Sequence, residues 1–212
     1  MINFTYQVPT RFVFGRSAEN QVGEEVRAQG GAKALIHYGG GSAVRSGLID
    51  RVKKSLDAAG IAHVELGGVQ PNPRDALVYR GIELARSEKV DFILAVGGGS
   101  SIDSSKAIAH GIPYEGDFWD FFCGKAKPKT TTPFGVVLTM AAAGSESSNS
   151  CVITQEATKT KRGLRTELNR PKFAIMNPEL AMTLPKYQIA SGATDILAHI
   201  MERYLPARPT WI

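Results

Sequence analysis

The sequence predicts an α/β protein with a doubly wound, mainly parallel β-sheet, followed by the start of an all-helical domain. Three observations predict this fold. Short apolar runs alternate with segments of helical periodicity, loops rich in small residues follow three of these runs, and from about Lys186 the pattern is purely helical. Strands separated by helices favour parallel pairing, because a parallel connection needs a crossover long enough to hold a helix.

The first expected elements lie before residue 61. "FTYQVPTRFVF" at 4–14 alternates well enough to form an edge strand, and "KALIHY" at 33–38 is typical of a buried strand. The segment 44–60 then has helical periodicity, and Gly60 is its expected stop. Apolar residues recur in this helix at intervals of four: Val44, Leu48, Val52 and Leu56.

The alternation continues with a strand at 61–66 and a helix over about 74–89. Asn72 and Pro73 are the expected N-cap and first-turn pair of that helix. The later elements follow the same reading: a strand at 90–96, a helix over about 101–110, and strands at 134–139, 151–154 and 172–176.

The segment "NPELAMTLP" at 177–185 is interpreted as a linker. We therefore expect two domains: an α/β domain that covers residues 1–180, and the first helix of an all-helical domain at 181–212.

The composition indicates a globular protein, since 212 residues with 43% hydrophobic content allow a full core. The formal net charge is +5, but the basic residues are scattered, and we expect no nucleic-acid partner. The two cysteines form no CxxC pattern, and the N-terminus has no basic start followed by an apolar run. No segment approaches the roughly 20 apolar residues of a membrane span. We expect a cytoplasmic protein that does not associate with membranes.

Three loops of small residues follow predicted strands: "GGGS" at 39–42, "GGGSS" at 97–101 and "AAAGSESS" at 141–148. Ligands of open parallel sheets bind at the carboxyl ends of the strands, where glycine lets backbone N–H groups approach a phosphate. The alternative is that each loop is simply a tight turn. None of the loops matches GxGxxG or GxxxxGK[ST], which argues against a standard Rossmann or P-loop site.

Several longer motifs carry a resemblance: "GVQPNP" (68–73), "GGGSSIDSSKAIA" (97–109), "LTMAAAGSESSNSCVIT" (138–154), "NPELAMTLP" (177–185) and "GATDILAH" (192–199). Together they resemble the iron-containing, group III alcohol dehydrogenase family. "YGGGS" (38–42) and the N-terminal segment are similar to its NADPH-dependent butanol dehydrogenase branch. The resemblance covers residues 1 to about 205, and it implies a chain truncated before most of the C-terminal domain.

The resemblance implies a Rossmann-like, dehydroquinate synthase-like domain that binds NADP(H). It assigns the pyrophosphate to the second loop, with Asp103 nearby, and the nicotinamide half to the third loop and a lysine. The implied cofactor residues are Gly40, Ser42, Asn72, Gly98, Gly99, Ser100, Asp103, Thr139, Ser148 and Lys161. Gly40 and Ser42 stand where relatives that prefer NAD carry an acid for the adenosine ribose, which favours NADP(H) over NAD(H).

One departure and one alternative bear on these assignments. Ala143 replaces a threonine that relatives often carry, which is expected to weaken one cofactor contact. Asp103 and Lys106 are also spaced as an ordinary exposed i,i+3 pair on a helix.

Asp195 and His199 lie four residues apart on the expected last helix, so both side chains project from the same face. The resemblance implies that they are the first two of four ligands, one Asp and three His, of a divalent iron or zinc ion that acts as a Lewis acid. Glu202 could add a carboxylate or be a solvated residue. The other histidines, His37, His63 and His110, are interpreted as core or surface residues.

Two functions of different class follow. The first is an alcohol dehydrogenase or aldehyde reductase that transfers a hydride between NADP(H) and a short-chain alcohol or aldehyde. The second is a non-catalytic NADP(H)-binding fragment that lacks the remaining metal ligands. A lyase of the dehydroquinate synthase type is a distant third. The last helix is expected to expose an apolar face, and the N-terminal strand is the expected site of homodimer formation.

Overall fold

The computed structural model describes residues 3, 5 and 7–205. Its strands are β1 (Arg11–Phe14), β2 (Lys33–Gly39), β3 (Ala62–Val69), β4 (Phe92–Gly97), β5 (Phe134–Leu138), β6 (Ser150–Gln155), β7 (Thr160–Arg165) and β8 (Phe173–Met176). Its helices are α1 (Val22–Ala28), α2 (Ser42–Arg45), α3 (Leu48–Ala58), α4 (Asp75–Ser87), α5 (Gly99–Gly111), α6 (Trp119–Cys123) and α7 (Lys186–Tyr204).

The main sheet has six strands in the order β1-β8-β5-β4-β2-β3, and every neighbouring pair is parallel. β3 lies on one side of β2 and β4 on the other, so the strand order reverses between β2 and β4. This reversal is the topological switch point at which open α/β sheets bind ligands. The predicted doubly wound parallel sheet is confirmed.

Helices cover both faces of the sheet, because the crossover connections between parallel strands carry them there. β4 reads "FILAVG" and is buried along its whole length, as expected of a strand with no solvent-facing side. Alternate residues enter opposite cores: Ile36 and Leu94 pack with α1 and α3, while Leu35 and Ile93 pack with α4 and α5.

Three expected elements differ from the structure. The helix expected at 44–60 is broken into α2 and α3 at Gly47, which has a φ of +69°, and Val44 is therefore exposed instead of joining the apolar stripe. Asn72 is not an N-cap: α4 begins after Arg74, and Asn72 lies in the preceding turn with a φ of +56°. The strand expected at 151–154 belongs to a separate antiparallel hairpin, β6-β7, and not to the main sheet.

α7 differs from the other long helices because its apolar side chains are open to solvent. The predicted apolar face is confirmed as exposed, and its members are Ile189, Ile196, Ile200 and Tyr204. Within the described residues, no helix is long and apolar enough to cross a bilayer. The expected linker contains a 3₁₀ turn, Pro178–Ala181, and the division into two domains near residue 180 stays a prediction.

Candidate functional site

The three loops predicted from sequence meet at the carboxyl edge of the main sheet. The backbone N–H of Thr139, after β5, donates to the carbonyl of Gly97 at the end of β4. A side chain at Gly97 would collide with the Ser101 hydroxyl, because an ideal Cβ would lie 2.5 Å from it. β2 pairs with β4, and a Cβ on Gly39 would lie 3.7 Å from the same Ser101 hydroxyl. The loops after β2, β4 and β5 are therefore adjacent at the switch point.

The N-terminus of α5 is suited to a phosphate group. α5 begins at Gly99, and its N-cap residue, Gly98, provides no side-chain hydrogen bond. The first N–H groups of a helix have no partner within the helix, and the positive end of the helix dipole lies there. A Cβ at Gly99 would meet no atom within 4 Å, so the space beside the first residue of the helix is open. Gly98, Gly99 and Ser100 thus fit the predicted pyrophosphate site.

The loop after β2 borders a cavity of about 610 Å³. Ser42 and Thr139, which were predicted from different loops, both line it, and so does Arg45. The Arg45 guanidinium lies 3.1 Å from the position of a Cβ on Gly41, which places a cation beside the Gly-rich loop. The sequence analysis missed Arg45; the signal was a basic residue one helical turn after "GGGS".

Two carboxylates also line this cavity, and each has a cationic partner. Glu19 is buried and accepts hydrogen bonds from Arg51 at 2.9 Å and from Asn177 at 2.9 Å. Glu179 pairs with Arg16 at 3.5 Å. The acidic groups of the cavity are thus neutralised within the protein.

Asn72 and Lys161 are in contact although 89 residues separate them. Lys161 Nζ donates to Asn72 Oδ1 at 2.8 Å. The β6-β7 hairpin brings them together, since the Thr154 N–H donates to the Pro73 carbonyl at 2.8 Å and so pins the hairpin to the turn before α4. These two predicted cofactor residues are therefore in contact with each other near the carboxyl edge of the sheet.

Asp103 and Lys106 connect α5 to the third loop. Asp103 accepts from the Ser145 hydroxyl at 2.7 Å and from the Val152 N–H at 3.0 Å. The Lys106 side chain is fully buried, so the reading of an exposed i,i+3 pair is wrong for it. Burial raises the pKa of Asp103 and lowers the pKa of Lys106. Ser148 lies near the same ammonium group, with its hydroxyl 3.4 Å from Nζ.

Asp195 and His199 stand side by side on α7. Asp195 Oδ1 lies 3.6 Å from His199 Nε2, and both side chains are a little over two-fifths exposed. Glu202 approaches the other ring nitrogen, Nδ1, at 3.8 Å. α7 contacts the third loop at Gly192, where a Cβ would lie 3.1 Å from the Ala141 carbonyl oxygen.

The pair fits two donors of a metal site and does not complete one. Across residues 3, 5 and 7–205, no group of three His, Cys, Asp or Glu side chains could hold a metal ion. Catalytic zinc sites, for example, use three protein ligands. Carboxylate and imidazole together suit divalent iron or zinc.

The remaining histidines have the structural roles expected of them. His37 is buried between the Leu66 carbonyl and the Ser104 hydroxyl, each 2.8 Å from a ring nitrogen, and burial lowers its pKa to about 4. His110 is buried, with its Nε2 2.8 Å from Asn169 Oδ1. The Nε2 atom of His63 lies 3.1 Å from Asp57 Oδ1.

Comparisons with known proteins agree with this geometry. The model of the iron-containing alcohol dehydrogenase family matches residues 9–178. "Probable NADH-dependent butanol dehydrogenase 1" of Bacillus subtilis is 46% identical over 204 residues, which are 96% of this chain and 52% of that protein. The NADPH-dependent aldehyde reductase YqhD of Escherichia coli is 38% identical over 208 residues, which are 97% of this chain and 53% of that protein.

A solved structure shows the same fold at high similarity. The NADH-dependent butanol dehydrogenase A of Thermotoga maritima has a TM-score of 0.92 and 45% sequence identity, and the match covers 95% of this chain and 51% of that one. This chain thus spans about half the length of the curated relatives it matches.

Proposed function

Because this chain belongs to the iron-containing alcohol dehydrogenase family, we propose that it forms the cofactor-binding part of an NADP(H)-dependent alcohol dehydrogenase or aldehyde reductase for short-chain substrates. Oxidation of alcohols or reduction of aldehydes is the chemistry named for its relatives. The observation that carries the proposal is the meeting of three loops in front of the uncapped N-terminus of α5.

The dinucleotide is proposed to lie along the carboxyl edge, with the adenosine half near β2 and the nicotinamide half near the third loop. Gly98, Gly99 and Ser100 would bind the pyrophosphate through backbone N–H groups. Asn72 and Lys161 would hold the nicotinamide ribose from the side of the hairpin. Thr139 and Ser148 lie on the loop that follows β5, and Asp103 of α5 accepts a hydrogen bond from Ser145 of the same loop.

The choice of NADP(H) rests on this chain's own residues, because the relatives are divided. The butanol dehydrogenases are named for NADH and the aldehyde reductase for NADPH. Gly40 and Ser42 bring no carboxylate to the adenosine ribose, and Arg45 stands exposed one turn later. A 2′-phosphate would find a hydroxyl and a guanidinium there instead of a repelling charge.

Asp195 and His199 are proposed to be two ligands of a divalent iron or zinc ion. When bound, the metal supplies Lewis acidity towards the substrate oxygen, and the nicotinamide supplies or accepts the hydride. This chain contributes two donors that helical spacing already holds on one face. The contact between Gly192 and the third loop keeps that face beside the proposed nicotinamide region.

The second candidate, an NADP(H)-binding chain without turnover, is favoured by one observation: no third metal ligand joins the pair among the described residues. An anaerobic assay separates the two functions. NADPH oxidation is followed with butanal on metal-free chain, and then after addition of Fe²⁺ or Zn²⁺. Metal-dependent turnover by chain of verified mass supports the enzyme, whereas NADPH binding without turnover supports the second function. A chain that neither binds NADPH nor turns it over contradicts both proposed functions.

Self-association is proposed to run through β1. β1 is an edge strand whose one neighbour is β8, and its exposed backbone edge can pair with a second strand. Phe12 and Phe14 are half or more exposed on this strand, which adds an apolar surface to the edge. In β1 the backbone N–H groups of Arg11 and Gly15 donate to carbonyls at the two ends of β8, so the N–H of Phe12 faces the free edge. Proline substitution at Phe12 is expected to shift the chain to monomer in size-exclusion chromatography, and a dimer that persists would contradict this.

A further inference from the structure

The Lys106 ammonium group is the most completely enclosed charge of α5. Its side chain has no exposed area, yet the nearest carboxylate oxygen, on Asp103, is 3.9 Å away. Instead, Nζ donates to the carbonyl oxygens of Ser145 at 2.8 Å, Ser150 at 2.8 Å and Ser148 at 3.3 Å. The Ser145 hydroxyl oxygen also lies 3.0 Å from Nζ, so the three N–H donors of this lysine have all of these acceptors within one short loop.

Burial of an ammonium group costs free energy unless hydrogen bonds replace those it made with water. The three carbonyls belong to the segment Ser145–Ser150, which has no regular secondary structure until its last residue. Their oxygens have Lys106 as a shared partner, so one side chain fixes the path of the whole segment. The segment Ser145–Ser150 is called the serine loop below.

The serine loop is also held from its outer side. Arg170 donates to the Ser147 carbonyl at 2.6 Å, and Asn169 Nδ2 donates to the Asn149 carbonyl at 2.9 Å. From Ser147 to Ser150 the carbonyls are thus bound alternately by residues after β7 on the outside and by Lys106 on the inside. The outer partners keep the loop on the protein, while Lys106 sets its distance from α5.

The connection to the cofactor site runs through α5. Lys106 lies on the same helix whose N-terminus is the proposed pyrophosphate site, and the Ser145 hydroxyl donates to Asp103 one turn closer to that site. The loop begins six residues after Thr139, which lines the cavity, and it contains Ser148. The position of the serine loop relative to the dinucleotide therefore depends on Lys106.

We propose that Lys106 is a positioning residue that sets the serine loop against the nicotinamide half of the bound dinucleotide. The proposal rests on the proposed function for its ligand. It assigns Lys106 no contact with the cofactor: the lysine acts through Ser145, Ser148 and Ser150.

The test compares Lys106→Met, which keeps the length of the side chain but removes its donors, with Ile108→Val on the same helix as the control. Ile108 is buried in the apolar core, so its truncation loosens α5 without touching the serine loop. Hydrogen–deuterium exchange of the unliganded chain is measured first. The amides of Ser145–Ser150 are expected to exchange about tenfold faster in Lys106→Met, with β2 and β4 unchanged. Equal exchange in the loop would overturn the proposal.

The second readout is affinity for NADPH and for adenosine 2′,5′-bisphosphate, a fragment that lacks the nicotinamide half. In Lys106→Met the affinity for NADPH should fall about tenfold while that for the fragment stays within about twofold. Ile108→Val should leave both unchanged. An equal loss for both ligands means general loosening and overturns the proposal. If the unsubstituted chain binds neither ligand, the proposed function fails, and the exchange measurement still decides what Lys106 does to the loop.

Should Lys106→Met fail to fold, Ser145→Ala takes its place. This substitution lies on the loop, and it removes one acceptor of Lys106 together with the hydroxyl that donates to Asp103. Loop exchange should rise about threefold, and the loss of affinity should again be confined to NADPH. Unchanged loop exchange in a folded Ser145→Ala chain would overturn the proposal.

Discussion

The sheet region and α7 each carry part of the candidate site, and they hold it in different ways. In the sheet region the relevant loops are fixed by contacts between distant residues, such as Lys161 with Asn72 and Lys106 with the serine loop. On α7, Asp195 and His199 are adjacent because helical spacing places them so. The apolar residues around them are exposed, whereas those of the central strands β4 and β5 are buried.

This difference separates the two halves of the proposed chemistry. We expect a dinucleotide site whose parts are fixed by internal contacts to bind its ligand with the described residues alone. A metal site with two donors on an exposed helix needs further ligands and a covering surface. Binding of the cofactor and binding of the metal should therefore respond to different substitutions.

The largest expected effect compares the same truncation in the two regions. Ile93→Ala in β4 removes a fully buried side chain and should lower the free energy of unfolding by about 2–5 kcal/mol. Ile200→Ala on α7, where the side chain is 58% exposed, should change it by less than about 0.5 kcal/mol. Urea unfolding measures both. Equal losses would show that α7 is packed as firmly as the sheet and would break the comparison.

A pH dependence should originate in the sheet region, because His37 is buried there with its pKa lowered to about 4 from 6.5. Between about pH 6.5 and 4 the unfolded chain binds a proton that the folded chain does not, so stability falls as pH is lowered, by up to about 1.4 kcal/mol per pH unit. His37→Gln should reduce this slope by about one proton equivalent. The part that remains is due to His110, because burial lowers the pKa of that histidine too.

Ile36→Val is the matched control for His37, since it alters the same strand without a titratable group. Urea unfolding at several pH values gives the slopes. If the His37→Gln chain kept the full pH dependence of the free energy of unfolding, protonation of His37 would not be its cause.

A negative charge added at the N-terminus of α5 should weaken cofactor binding without lowering the free energy of unfolding. Gly99→Asp adds a side chain into open space at a helix N-terminus, where a carboxylate favours the helix dipole but repels a diphosphate. The Kd for NADPH should rise roughly 100-fold. Gln21→Glu adds the same charge at the N-terminus of α1 and should leave the Kd unchanged. Unaltered NADPH binding in Gly99→Asp would place the pyrophosphate elsewhere.

The smallest effect should be a change in cofactor preference. Arg45→Ala removes the guanidinium beside the first loop, so the affinity for NADPH should fall about tenfold while that for NADH changes little. Lys54→Ala removes an exposed charge of the same sign from α3 and serves as the control. Equal losses for both cofactors, or none, would contradict NADP(H) as the preferred ligand and favour the NADH named for the butanol dehydrogenases.

Sequence reasoning could predict those features that depend on local periodicity. Apolar runs and glycine loops predicted the parallel sheet and the edge at which the three loops meet, and helical spacing predicted the Asp195–His199 pair. The break at Gly47 was missed because intervals of four continue through it, although a left-handed residue ends the first turn. β7 was missed because "TKRGLR" has no apolar alternation and is paired through β6.

Contacts between distant segments could not be read from the sequence. The i,i+3 spacing of Asp103 and Lys106 is the same in an exposed ion pair and in a buried anchor, and only the fold places carbonyls of residues 145–150 around Nζ. The Asn72–Lys161 contact depends in the same way on where the hairpin lies. Arg45 escaped notice because its role depends on the path of α2 beside Gly41.

The most direct test of the central claim is calorimetric titration of the chain with NADPH, repeated on a variant with Asp195→Ala and His199→Ala together. A cofactor site complete within the sheet region predicts saturable binding of one NADPH per chain, with affinities that agree within about twofold between the two chains. No binding by the unsubstituted chain, or binding lost with the α7 pair, would contradict the claim.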